Sequence, residues 1–317
     1  MIRFVAQRAI ESLIVLLIMS FLVYGLIGLM PGDPIDIMLS GDPRMTPEDR
    51  ERLKALYGLD VPIWQRYLNW LAAALGGDFG YSRNFNRPVL EVMAPNLGRT
   101  ALLMGASFGL SVAIAIPLGL AAAVRQRTVA DYGINLFCFA GKSVPPFWLA
   151  LMLILVFAVD LRWFPAGGIE TVGDTGVVDR VRHLVLPVTC LTLLNLASVA
   201  RLMRAEAIGA LRQDYVRTAR AKGLSERRVI WGHALRNALN PVVTVIALEF
   251  GTLFSGALIT ETVFSYPGMG KMIYDSILGN DYNLALVGLL FATLLVLVGN
   301  LAADLAYAVL DPRVSLK

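Results

Sequence analysis

The sequence predicts an all-α integral membrane protein of six transmembrane helices, with a long extracytoplasmic insertion between the first two. Three observations predict it. Of 317 residues, 56% are hydrophobic and only 16% carry charge, well below the roughly one quarter of charged residues in a soluble domain. Six stretches are apolar over the ~20 residues that a helix needs to cross the hydrocarbon core. Basic residues gather in alternate connecting segments, as they do on the cytoplasmic side of a membrane.

The six spans are read at 9–30, 99–124, 132–159, 184–204, 241–262 and 284–308. The first follows a basic start, MIRFVAQR, but is longer than a signal-peptide core and shows no small-residue cleavage site, so it is read as a retained span. Pro117 in the second, and Pro145 with Pro146 in the third, each remove a backbone donor and predict kinks. Asn240 and Pro241 read as the cap and first turn of the fifth.

With the N-terminus inside, the inner segments collect Arg3, Arg8, Arg125, Arg127, Arg201, Arg204, Arg212, Arg217, Arg220, Lys222, Arg227, Arg228, Arg236, Arg313 and Lys317. The outer segments hold a slight acidic excess, so both termini are expected to be cytoplasmic. The chain then divides into a first helix at 1–30, an extracytoplasmic insertion at 31–98, a core of helices two to six at 99–310 with a cytoplasmic loop at 205–236, and a tail at 311–317. Within the insertion, 46–59 reads as a short helix with Thr46 as cap and Gly58 as stop. The segment with Trp64, Tyr67 and Trp70 either lies along the membrane interface or packs as a cap on the span ends.

Catalytic and metal motifs fail on context. GASFG at 105–109 matches the G-x-S-x-G nucleophile elbow, but that elbow needs a strand, a sharp turn and a nearby histidine base. Here it lies inside a span, and neither His183 nor His233 is read at the depth of Ser107. Close helix packing on small residues is the better account. GKS at 141–143 mimics the end of a phosphate loop, yet Leu136 stands where a glycine is required. Cys138 and Cys190 lie in apolar runs and read as buried small side chains, and no cysteines or histidines have zinc spacing.

Charges inside spans are costly and point to function. Glu11 and Asp304 sit near the inner surface, where side chains snorkel. Asn300, Asp304, Tyr307 and Asp311 recur on one helical face as an internal polar seam. Glu249 and Lys142 lie deeper, and either line a water-filled translocation path or pair with each other.

The stretch DYVRTARAKGLSERRVI, 214–230, carries local structure of its own. Asp214 is a cap for a helix from Tyr215, Gly223 a stop after Lys222, and Ser225 a cap for a second helix. Arg217 and Arg220 share a face, while Ala219 and Gly223 expose little side chain, so another protein can approach closely. A polybasic loop that only touches lipid phosphates explains the charge, but not the small residues, caps and break.

DYVRTARAKGL followed by HALRNALNPVV resembles the cytoplasmic signature loop of bacterial ABC-importer permeases: Glu-Ala-Ala, three residues, Gly, nine residues, Ile-x-Leu-Pro. Alignment on Gly223 puts Arg217, Thr218 and Ala219 on Glu-Ala-Ala, and His233 to Arg236 on Ile-x-Leu-Pro. The departures are themselves similar to the dipeptide/oligopeptide permease subfamily, to which nickel and glutathione permeases belong. MPGDP at 30–34, YGLDVPIWQRYLNWL at 57–71, GDFGYS at 77–82, SVPPFW at 143–148, ETVFSYPGMG at 261–270, DY at 281–282 and LDPR at 310–313 carry the same resemblance. Lys142 departs from the pattern ahead of SVPPF.

The resemblance implies a type I ABC importer transmembrane fold over 99–310, in a multi-pass protein of the bacterial inner membrane. The chain would pair with a second homologous permease, two ABC ATPase subunits and an extracytoplasmic substrate-binding protein, embedded in lipid and without nucleic acid. It would move a dipeptide or oligopeptide by alternating access, with nickel or glutathione as alternative cargo. ATP and Mg²⁺ would sit on the ATPase subunits, leaving this chain no cofactor, metal or catalytic residue. Tyr215, Arg217, Thr218, Ala219, Arg220, Ala221, Lys222 and Gly223 would form the ATPase-coupling helix. Readings from other classes are an intramembrane serine hydrolase using Ser107 and an ion-driven secondary transporter using Glu249 and Lys142.

Overall fold

The computed structural model describes residues 2–28, 61–174, 176–252 and 257–310. The expected short helix at 46–59 and the tail at 311–317 lie outside them. The first helix, α1 (Ile2–Gly28), turns Ile10, Leu13, Ile14, Ile18, Leu22 and Leu26 outward, as a lipid-facing helix does. Against it lies α2 (Ile63–Leu75), whose buried Tyr67 shares a 2.7 Å hydroxyl–hydroxyl hydrogen bond with Ser20. Phe21, Tyr24, Tyr67 and Trp70 form an aromatic cluster, while Trp64 and Leu68 stay exposed. The α2 segment is therefore packed on a span along one face and open along the other.

A short antiparallel hairpin, β1 (Tyr81–Ser82) and β2 (Arg87–Pro88), leads directly into α3 (Val89–Val124). This helix begins at Val89 rather than at 99. Pro88 enters it with an extended backbone, Glu91 favours its first turn, and Val89, Val92 and Met93 are buried along one stripe. The insertion is thus helical at its end.

The expected kink in span three is a break. Helix α4 (Val129–Ser143) and helix α5 (Pro146–Leu153), which continues as a π-helical stretch to Asp160, meet at 105°. Val144 and Pro145 are extended, with ψ near 131° and 135°, because each precedes a proline that excludes the helical conformation. Next come α6 (Val177–Leu211), α7 (Asp214–Ala221) and α8 (Glu226–Arg228), which runs through a π-helical turn, Val229–Ala234, into α9 (Leu235–Thr252). Asn240 and Pro241 do not start a helix: α9 passes through both. The chain closes with α10 (Ala257–Val263), α11 (Met269–Leu278) and α12 (Tyr282–Leu310).

Among the described residues, four helices are long and apolar enough to cross a membrane, α1, α3, α6 and α12, or five if the bent α4–α5 pair is one span. The core is built where α3 packs along α6, while α12 packs on both α9 and α1. At Gly119 of α3 a Cβ would lie 2.5 Å from the Ala200 carbonyl oxygen and 2.7 Å from the Met203 Cβ, so glycine here sets backbone contact with α6. Gly105 and Gly109, which the sequence marked for close packing, have nothing within 4 Å of a Cβ position. Spacing located a smooth face but not the neighbour against it.

Candidate functional site

The two ends of α3 define two ends of the protein. Its Val89 end adjoins the hairpin, held by buried Asp281, which accepts from the Ser82 hydroxyl and from the Asn84 and Leu284 amides. Its Val124 end leads to buried Asp131, which binds Arg204 of α6 through two 2.7 Å bonds. The 36 residues of α3 separate these ends by about 54 Å at ~1.5 Å per residue. Helix α7 belongs to the second end, two residues beyond α6.

Sequence dictates how α7 sits. Val216 and Ala219, three apart, share one face and are almost fully buried, at 0% and 5% exposure. They pack with Met203, Ala207 and Ala210 of α6 and with Val229, Ala234 and Ala238 beyond the turn. The opposite face presents Tyr215, Arg217, Thr218, Ala221 and Lys222 to the exterior. Ala219 was expected on the approach surface; it is instead the seat of the helix on its own chain. Asp214 was expected as cap, but the cap position is Gln213 and Asp214 lies inside the first turn, 3.3 Å from Arg217. Ser225 takes its expected position with no side-chain cap bond.

The break works as expected. Gly223 adopts φ +78°, a left-handed conformation that glycine enters without penalty. The Gly223 amide donates to the Arg220 carbonyl at 2.9 Å and the Leu224 amide to the Ala219 carbonyl at 3.3 Å, the paired bonds of a Schellman stop. Across it, Arg220 donates to both carboxylate oxygens of Glu226, at 2.7 and 3.1 Å. Arg220 holds the Glu226 carboxyl below its ordinary range, and Glu226 raises the Arg220 guanidinium, each chiefly by this hydrogen bond. Arg220 and Arg217 thus differ: one is bound across the turn, the other held only by an exposed neighbour.

The remaining sequence candidates fall elsewhere. Lys142, at the end of α4 beside the break, is exposed and donates to the Ser198 hydroxyl of α6 at 3.2 Å. Glu249 lies on α9, but its side chain is outside the described residues. Ser107 is fully buried, and its hydroxyl bonds the Met104 carbonyl within α3. His183 is held by Asp179 on its own helix and His233 lies in the π-helical turn after α8, so among the described residues neither histidine is hydrogen-bonded to the Ser107 hydroxyl. Of the polar seam, Asp304 pairs with Arg8 at 3.1 Å, and Arg8 also binds Glu11 at 3.2 Å. The side chains of Tyr307 and Asp311 lie outside the described residues.

Two buried clusters escaped the sequence reading. Asp131 also accepts from the Arg127 amide and from Asn135 Nδ2, so its carboxylate has partners on both oxygens. At the other end Glu261 is fully buried, accepting from Thr100 Oγ1 at 2.5 Å and from the Lys271 amide at 3.0 Å, while the Met269 amide donates to the same threonine. A charge beside apolar residues signals such clusters only when its partner is known, and Arg204 and Thr100 are far away in sequence from Asp131 and Glu261.

Comparison with known proteins fits this arrangement. Residues 115–316 match the model of the binding-protein-dependent transport system inner membrane component, and residues 1–103 match that of its N-terminal region. The oligopeptide transport system permease protein AppB of Bacillus subtilis (strain 168) is 40% identical over 99% of both chains. The dipeptide transport system permease protein DppB of Escherichia coli (strain K12) is 35% identical over 99% of both. A di/tripeptide transport system permease protein of Pseudomonas aeruginosa (strain UCBPP-PA14) is 37% identical at the same coverage. Among solved structures, a chain of the inward-facing MetNI methionine ABC transporter superposes with a TM-score of 0.56 at 15% identity, covering 70% of this chain and 97% of that one, which is a likeness of fold. With family models spanning nearly its whole length and relatives matched end to end, this chain belongs to the inner-membrane permeases of binding-protein-dependent ABC transport systems.

Proposed function

We propose that the chain is one of two homologous permeases in an ATP-driven importer of small peptides, and that an ATPase subunit seats on the outward face of α7. The observation that carries this is a short helix anchored to the core by Val216 and Ala219 and bare on its other side. Relatives named for oligopeptide and dipeptide transport support a dipeptide or oligopeptide as cargo. The α7 end is then cytoplasmic, as are both termini, and the hairpin end faces an extracytoplasmic binding protein. The fifth span of a six-helix chain is completed by α9 and α10.

ATP closes the ATPase dimer, and α7, gripped on one side and rooted on the other, transmits that movement into the spans. The helix biases the equilibrium only where its contacts differ between inward- and outward-facing states. ATP and Mg²⁺ are held by the ATPases, and this chain supplies the lever and half of the path. The test is reconstitution of both permeases, both ATPases and the binding protein in liposomes. A labelled dipeptide accumulates only with ATP, and accumulation without ATP, or without the ATPases, refutes the reading. Nickel or glutathione as the ligand that stabilises the binding protein against heat would change the cargo but keep the machine.

Lys142 and Glu249 are assigned to the translocation path. An ammonium in a spanning segment faces water or a polar partner, and Lys142 is exposed beside a broken helix. In the assembled complex, Lys142→Cys is expected to react with a membrane-impermeant thiol reagent, about tenfold faster in one transport state than in the other. Equal and negligible labelling in both states removes Lys142 from the path.

A further inference from the structure

We infer that Arg220 and Glu226 form an internal clasp that fixes the angle between the coupling helix and the chain that follows it, so that Arg220 acts on the ATPase through Glu226 and not by touching it. The inference rests on α7 being the coupling helix.

Helix α7 is tied to the rest of the molecule in three ways. Its N-terminal end continues from α6 through Arg212 and Gln213, and its inner face is seated by Val216 and Ala219. Its C-terminal end turns at Gly223, where a Cβ would meet nothing within 4 Å. Backbone bonds close the turn, but at the glycine no side chain is present to hold the two arms together. The Arg220–Glu226 pair spans that point: the guanidinium comes from the last turn of α7 and the carboxylate from the first residue of α8. Its bidentate geometry fixes direction as well as distance, which a single contact with lysine does not.

Beyond Glu226 the chain enters the π-helical turn and then α9, which packs on α12 and α6. Displacement of α7 is therefore passed to α6 through the Arg212–Gln213 link and the Val216–Ala219 seat, and toward α9 through the packing of that seat on Val229, Ala234 and Ala238 and through the clasp, which sets its direction. Loosening the clasp leaves the docking face of α7 intact while removing the directional part of the second route. Both side chains are half-exposed, so the pair adds little to overall stability; its role is positional.

The test uses the complete reconstituted complex. Glu226→Arg and Arg220→Glu are each expected to leave insertion and ATPase copurification unchanged while lowering peptide transported per ATP hydrolysed by about tenfold. The double exchange, Arg220→Glu with Glu226→Arg, is expected to recover coupling to within about threefold of wild type. Glu226→Gln, which keeps one oxygen acceptor, is expected to fall between. If Arg220→Glu releases the ATPases and the double exchange does not restore them, Arg220 touches the ATPase directly and the clasp is refuted. Normal coupling in Glu226→Arg also refutes it. Failure of the wild-type permease to copurify with ATPases refutes the coupling helix itself, a separate outcome.

Discussion

Asp131→Ala is expected to lower the stability of the detergent-solubilised protein by on the order of 3 kcal/mol, read as a fall in its thermal unfolding midpoint. The side chain is 2% exposed, and both of its oxygens are used: Arg204 binds it twice, while the Arg127 amide and Asn135 complete the set. Removing the carboxylate leaves the partly buried Arg204 guanidinium without its counter-charge and takes an acceptor from two further donors, the Arg127 amide and Asn135 Nδ2. Breaking one side of a buried pair is far more damaging than replacing both sides by apolar groups. Asp131→Leu combined with Arg204→Met is therefore expected to recover more than half of the loss. A double variant as unstable as Asp131→Ala would show that the carboxylate acts mainly through the Arg127 amide and Asn135 at the start of α4 and not as the partner of Arg204.

Ala221→Trp is expected to abolish ATP-driven peptide uptake, by about tenfold or more, while membrane insertion and thermal stability stay at wild-type values. Ala221 is exposed on the outward side of α7, where an indole meets no atom of this chain's core but fills the space a docked ATPase would occupy. Ala219→Trp is the informative contrast. That side chain is 5% exposed within the cluster of Val216, Met203 and Val229, so the same substitution overpacks the core and is expected to destabilise the protein by about 1–3 kcal/mol. Wild-type uptake by Ala221→Trp would place the ATPase elsewhere. Loss of expression in both variants would be answered by Ala221→Glu, which keeps the helix and puts a charge on the outward face with less bulk than an indole.

Much of this architecture was legible in the amino-acid order, for reasons that can be stated residue by residue. Apolar length marked α1, α3, α6 and α12, since a helix in hydrocarbon must satisfy its own backbone. Two adjacent prolines announced a kink where α4 and α5 meet, and the structure makes it a break because both Val144 and Pro145 precede a proline, which disfavours the helical conformation. Gly223 announced the stop of α7. What escaped depended on partners far along the chain. Asp131 and Arg204 are 73 residues apart, and nothing local distinguishes them from other topology-setting charges. Arg220 was read with Arg217 as part of one cationic face because helical spacing alone cannot see Glu226 fold back across the glycine. Ala219 was read as outward because it is small. Val216, three residues earlier, and Val229 beyond the turn were the available signs that this stripe faces inward.

The contact at Gly119 limits how this molecule can change shape. Where two helices meet backbone to backbone, with the Ala200 carbonyl and the Met203 side chain filling the space a Cβ would need, sliding one along the other drives atoms into collision. Asp131 and Arg204 then fasten α4 to the same pair. These three helices are thereby tied into one block, and in the proposed transport cycle the give is expected at the seams around it: the bent joint at Pro145 and the boundary with α9 and α12.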